Sequence, residues 1–127
     1  MALIAPSILN SDFLKLGEQI EMVNSSVADF LHLDIMDGNF VPNLTFGFPI
    51  IKQIKSVSKL PLDTHLMIRD PDRYLKEFRD AGADNLTVHY EVCDHLHRTI
   101  QRIKDLGMKA SVTLNPATPV SVLEDIL

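Results

Sequence analysis

Two histidines and an aspartate stand where short apolar runs end: His32 and Asp34 in His32-Leu33-Asp34, and His65 in Thr64-His65-Leu66-Met67. Strand side chains alternate between faces, so His32, Asp34 and Met36 share one face, with Leu31, Leu33 and Ile35 on the other. The same alternation puts Asp63, His65 and Met67 together on the next strand. Two imidazoles and a carboxylate on an inward face are costly unless they are paired or hold a metal. That donor set suits Zn, Fe, Mn or Co better than Mg or Ca. Three ligands leave room for a fourth protein group and for substrate. Met36 and Met67 are most simply apolar packing, although their place beside the ligands also suits a soft wall against a flat reactive intermediate. His89 ends another run, but a lone histidine there is more often a hydrogen-bonded core residue, and it is read so. Cys93, at a helix start, has no base obviously near it and is taken as structural.

Strands must carry these residues, and the pattern supplies them. Short apolar runs at residues 3–7, 30–34, 62–67, 85–89 and 109–114 read as strands. Between them, helical spacing marks residues 12–24, 49–57, 70–82 and 93–106, and Thr118-Pro119 opens a fifth helix. Asp12 and Asp70 read as N-caps, Pro49 and Pro71 suit first turns, and Gly82 and Gly107 suit helix ends. Strict β-α alternation calls for a parallel sheet with helical crossovers. The turn after the first run, Ser7-Ile8-Leu9-Asn10-Ser11, has no glycine for a dinucleotide-type phosphate turn. The closed (β/α)8 TIM barrel is therefore preferred over the open doubly wound sheet. Such a barrel needs at least about 200 residues. This chain of 127 residues supplies about five of the eight units, as the N-terminal part of one barrel domain spanning 1–127. Five strands alone would expose sheet edges, so the isolated chain is expected to associate as a homo-oligomer or to aggregate.

Composition narrows the class. Hydrophobic content is 46%, which fits a globular domain, and no apolar run is long enough for a bilayer. The N-terminus lacks a basic region followed by a long apolar stretch, so no secretion signal is read. The single cysteine forms no internal disulfide, which suits a cytoplasmic location. A net charge of -5 argues against a nucleic-acid or anionic-membrane surface.

The strings Ala5-Pro6-Ser7-Ile8-Leu9, His32-Leu33-Asp34-Ile35-Met36-Asp37-Gly38, Asn39-Phe40-Val41-Pro42-Asn43, His65-Leu66-Met67 and Leu114-Asn115-Pro116-Ala117-Thr118-Pro119 are together highly specific. In order and spacing they resemble the ribulose-phosphate 3-epimerases, from Leu3 to Leu127. Minor departures are Asn10, Ser11 and Phe48, none at a ligand position. The resemblance implies a (β/α)8 barrel that interconverts D-ribulose 5-phosphate and D-xylulose 5-phosphate. It also implies that His32, Asp34 and His65 bind a divalent metal and that Asp34 is one of two acid/base catalysts. Ser7 and His65 would contact the sugar-phosphate substrate, and Met36 and Met67 would line the site. The family's second catalytic aspartate, also its fourth metal ligand, and its glycine-rich phosphate-binding segments have no counterpart up to Leu127.

Epimerisation beside a ketone passes through an enediolate and needs proton transfer on two opposite faces. Only one of those groups is visible here, so the chain alone is expected to be poorly active. Competing readings are an epimerase of a six-carbon ketose phosphate such as allulose 6-phosphate, and a non-catalytic half-barrel that keeps the metal rim. A related decarboxylase is disfavoured because His65, not lysine, ends its strand.

Overall fold

The computed structural model describes residues 1–126. Four strands form one parallel sheet in the order β1-β2-β3-β4: β1 is Leu31–Met36, β2 Leu62–Met67, β3 Asn85–His89 and β4 Lys109–Thr113. The α-helices are α1, Leu16–Asn24, α2, Phe48–Val57, α3, Leu75–Ala81, and α4, Leu96–Asp105. Strand order follows chain order throughout, as in a barrel wall. A doubly wound sheet would reverse direction at a switch point. The architecture is α/β and matches part of a TIM barrel.

The two faces of the sheet differ in kind. Leu31, Leu33, Ile35, Leu62, Leu66, Leu86 and Val88 lie in one core with Ile20 of α1, Ile51 and Ile54 of α2, Phe78 of α3 and Ile103 of α4. The alternating residues, including His32, Asp34, Met36, Asp63, His65 and Met67, are half-buried on the opposite face. Parallel sheets usually have both faces covered. Here the helices cover one, and the other is a polar surface that a closed barrel would turn inward.

The first expected strand is not one. Residues 3–7 run beside β1, joined by a single parallel bridge between Ser7 and His32. Phe30 and His32 donate their N–H groups to the carbonyls of Ile4 and Pro6. Pro6 has no N–H to return, which breaks the ladder. The other expected strands are present, with β1 running two residues further, to Met36, and β4 ending at Thr113.

Several helix starts are tighter than expected. Short 3-10 turns at Phe13–Lys15, Pro71–Tyr74 and Tyr90–Val92 precede α1, α3 and α4. Asp12 caps as read, accepting from the Leu14 N–H at 3.0 Å. Asp70 does not. It sits in the left-handed region at φ 51°, and its carboxylate caps no N–H of the turn that follows. The expected fifth helix is a 3-10 turn, Val120–Leu123, among the described residues. Its intended cap is engaged elsewhere, because the Thr118 hydroxyl donates to Glu91 Oε1 at 2.6 Å. Cys93 is structural as read: burial pushes its thiol up to about 11, so no reactive thiolate forms near neutrality. Among the described residues no helix is long and apolar enough to cross a membrane.

Gly82 ends α3 at φ 113°, and its N–H reaches back to the Phe78 and Arg79 carbonyls. A Cβ there would stand 2.5 Å from Lys55 Cγ. Lys55 in turn pairs with Asp84, whose carboxylate also accepts the first N–H of β2, from Leu62. Gly82→Ala therefore strains the backbone and displaces a side chain that anchors the start of β2. It is expected to cost about 1–3 kcal/mol, read as a lower midpoint in chemical denaturation. An unchanged midpoint would show that neither the turn nor the Lys55 contact is needed.

Candidate metal centre

Register assembles the site. β1 and β2 align so that His32 stands opposite Asp63, Asp34 opposite His65, and Met36 opposite Met67. Sequence alternation placed these residues on common faces; pairing brings the two faces together. His32, Asp34 and His65 each offer a ligand atom, all within 4.8 Å of one another. His32 Nε2 lies 3.2 Å from Asp34 Oδ1, and His65 Nδ1 lies 3.4 Å from the same oxygen. Their side chains keep 23%, 15% and 21% exposure in the order His32, Asp34, His65, so an ion and a substrate can reach them.

The second nitrogen of each imidazole is also engaged. His32 Nδ1 is 2.7 Å from Asp63 Oδ2, and His65 Nε2 is 2.9 Å from His89 Nε2. Asp63 is held in turn by the Asn85 amide, and Asn85 by Ser111, so the polar chain crosses all four strands. An imidazole that donates Nδ1–H to a carboxylate points a lone pair from Nε2. Neutral His32 therefore faces Asp34 Oδ1 acceptor to acceptor. Such a contact is unfavourable without a proton or a cation between the atoms. The donor set thus fits a divalent transition metal held by His32 Nε2, His65 Nδ1 and Asp34, with positions left for other ligands.

Charge follows geometry. The Asp63 hydrogen bond holds the His32 pKa above its ordinary value, against burial. The same bond holds the Asp63 carboxyl below its usual range. Burial, aided by the neighbouring His89, pushes His65 down and favours its neutral, ligating form. Burial also pushes His89 down, although Glu91 opposes it. Glu91 is raised by burial, but hydrogen bonds from Thr118 and the Asn115 N–H outweigh that and keep it below the usual carboxylate value.

The other expected site residues fall around this centre. Ser7 Oγ donates to Asp34 Oδ2 at 2.5 Å and accepts from the Leu9 N–H, so its first partner is the carboxylate. Met36 and Met67 lie side by side in register, two residues beyond Asp34 and His65 on the same face. Thr45 ties the loop after β1 to the strand: its hydroxyl donates to the Asp34 carbonyl and accepts the Met36 N–H. Asp37 organises that loop by accepting from the Asn39, Phe40 and Arg69 N–H groups. Sequence reasoning missed Asp63 and Glu91 as site residues and read His89 as ordinary core. Asp63 carries one signal, its place two residues before His65 on the same face. Its partner, His32, becomes apparent only from the register.

The family pattern of the ribulose-phosphate 3 epimerases matches residues 3–127. The chain belongs to the ribulose-phosphate 3-epimerase family. It is 56% identical over 126 residues to ribulose-phosphate 3-epimerase of Bacillus subtilis (strain 168), covering 99% of this chain and 58% of that protein. The enzyme of the same name from Aquifex aeolicus is 50% identical over 127 residues, covering 100% of this chain and 57% of that one. The chloroplastic ribulose-5-phosphate-3-epimerase of Arabidopsis thaliana is 48% identical over 127 residues, covering 98% and 45%. The chain thus spans about half the length of the curated relatives it matches.

The Asp63–His32 pair gives a pH-dependent contribution in the metal-free protein. His32 has a raised folded pKa, so this stability is fully present below the ordinary imidazole value of about 6.5. It is lost as pH rises through the raised value. Asp63→Asn is expected to lower the His32 midpoint in an NMR titration and to cost more stability near pH 6 than near pH 9. An unchanged midpoint would show that Asp63 does not govern this imidazole.

Proposed function

We propose that this chain carries the metal-binding part of a ribulose-phosphate 3-epimerase site, in a protein that interconverts D-ribulose 5-phosphate and D-xylulose 5-phosphate. The observation that carries the reading is the convergence of His32 Nε2, His65 Nδ1 and Asp34 Oδ1 on one rim. Family membership supports a sugar-phosphate substrate, for which a five-carbon ketose is the reading proposed, and residues 1–127 would belong to one barrel domain.

His32, Asp34 and His65 would hold Zn, Fe, Mn or Co. When bound, such a cation supplies Lewis-acid stabilisation of negative charge building on the substrate oxygens. The remaining chemistry belongs to the chain. Asp34 uses its two oxygens differently: Oδ1 faces the imidazoles, while Oδ2 accepts the Ser7 hydroxyl. An ionised Asp34 takes the proton from C3 on one face of the sugar and can return it there. Ser7 steadies that carboxylate and lies close enough to meet substrate beside it. Met36 and Met67 offer an apolar wall, which keeps water from a flat enediolate. His65 stands between ligation and the sugar.

Proton return on the opposite face needs a second acid, and the phosphate needs a cluster of N–H donors. Both are proposed to come from the half of the family fold beyond the matched part. That half would also close the barrel over the open polar face of the sheet. Among the described residues β4 pairs with β3 on one side and with no strand on the other, so association into a homo-oligomer belongs to the same reading.

The test is solvent deuterium exchange at C3 of D-ribulose 5-phosphate by this chain joined to the remaining half of the family fold, since the chain alone is expected to be poorly active. Exchange is expected to need added Zn, Mn, Fe or Co after chelation. Asp34→Asn is expected to slow it by about 10²–10⁴-fold, the usual range for loss of a general acid/base. Wild-type exchange in Asp34→Asn, or exchange that survives chelation, would overturn the reading.

A further inference from the structure

A neutral His65 can carry its proton on either of two distinct ring nitrogens, Nδ1 or Nε2. We infer that Glu91, acting through His89, makes that decision and turns the His65 Nδ1 lone pair towards the metal position. The inference rests on the metal reading above and adds two positioning residues to it.

The donors and acceptors admit one order. Glu91 Oε1 accepts from the Asn115 N–H and the Thr118 hydroxyl. Its other oxygen, Oε2, is buried without a hydrogen-bond partner, and so is His89 Nδ1. These two unpartnered atoms face each other at 3.4 Å. An ionised carboxylate only accepts, so His89 must present Nδ1–H to it. A neutral imidazole has one N–H, which leaves His89 Nε2 as an acceptor. His65 Nε2, 2.9 Å away, must then donate. The lone pair of His65 is left on Nδ1, the nitrogen that faces Asp34.

Packing holds the array in place. The rings of His65 and His89 lie nearly parallel, with centroids 5.0 Å apart. Phe40 meets the His89 ring edge-on, with centroids 4.7 Å apart. The members come from β2, the end of β3, the turn after it, and the segment after β4. Three successive units must dock before the order is complete. Asp63 performs the equivalent task for His32 with one direct hydrogen bond.

Isosteric substitution tests direction rather than mere presence. Glu91→Gln keeps the shape but puts an amide NH2 where one acceptor stood. The Asn115 N–H and the Thr118 hydroxyl keep the amide oxygen on their side, so the NH2 faces His89 Nδ1; His89 then accepts there and donates from Nε2, and the His65 proton is forced onto Nδ1. Metal affinity of the full chain, measured by Co2+ titration, is expected to fall about tenfold or more, as for other outer-sphere partners of ligating histidines. The metal-free melt should move little. His89→Gln preserves the order, since its carbonyl accepts from His65 and its amide donates to Glu91. It should keep affinity within about threefold, while His89→Leu loses at least tenfold. Unchanged affinity in Glu91→Gln, or equal loss in His89→Gln and His89→Leu, would overturn the inference while leaving the metal reading intact. Failure of the unsubstituted chain to bind Co2+ would overturn both.

Discussion

Parallel pairing of β1 with β2 sets Asp34 against His65 and His32 against Asp63. A slip of one residue would send every side chain of one strand to the other face. It would bury His32 and Asp34 against Ile51 and Phe78 and expose Leu31, Leu33 and Ile35. The apolar face fixes the register so firmly because those leucines and isoleucines have nowhere else to go. The rim of His32, Asp34 and His65 is positioned by the apolar residues of the opposite face. The core face supplies the stability, and the polar face inherits its geometry.

The polar face is not stable in the same sense. His32 and His65 both direct a nitrogen at one oxygen of Asp34, and their other nitrogens are already engaged by Asp63 and His89. Neutral imidazoles so held repel the carboxylate they face. A proton on His32 relieves this in one way, and a divalent cation relieves it in all three directions at once. The Asp63 hydrogen bond raises the His32 pKa, with Asp34 adding to it, whereas burial holds His65 in its neutral form against the pull of Asp34. A site that is unfavourable when empty of charge and favourable around a cation is pre-organised for that cation. Ser7 completes the arrangement by addressing the oxygen of Asp34 that the imidazoles leave free.

The sequence disclosed the fold to the extent that periodicity and punctuation govern it. β2 and β3 fall on the expected residues, Pro49 opens α2, and Gly82 closes α3. Misreadings came where a local preference met a competing partner. Residues 3–7 are extended, but Pro6 cannot sustain a two-way ladder. Thr118 has the right type for a cap, yet its hydroxyl goes to Glu91. Asp70 has the right type and place but the wrong backbone conformation. At the site, the clustering of His32, Asp34 and His65 was legible because alternation alone puts His32 and Asp34 on one face and His65 at the matching end of the next strand. Asp63, His89 and Glu91 were not, because their roles depend on the neighbours that register and crossover geometry supply. The resemblance carried what no residue pattern here encodes, the expectation of a sugar-phosphate substrate.

His32, Asp34 and His65 are proposed to hold a single divalent cation. X-ray absorption at the metal edge of the zinc-loaded full chain tests it most directly. A first shell of nitrogen and oxygen at about 2.0–2.2 Å, with multiple scattering from two histidines, is expected. A shell of oxygen alone, or one carrying the signature of a single imidazole, would contradict it.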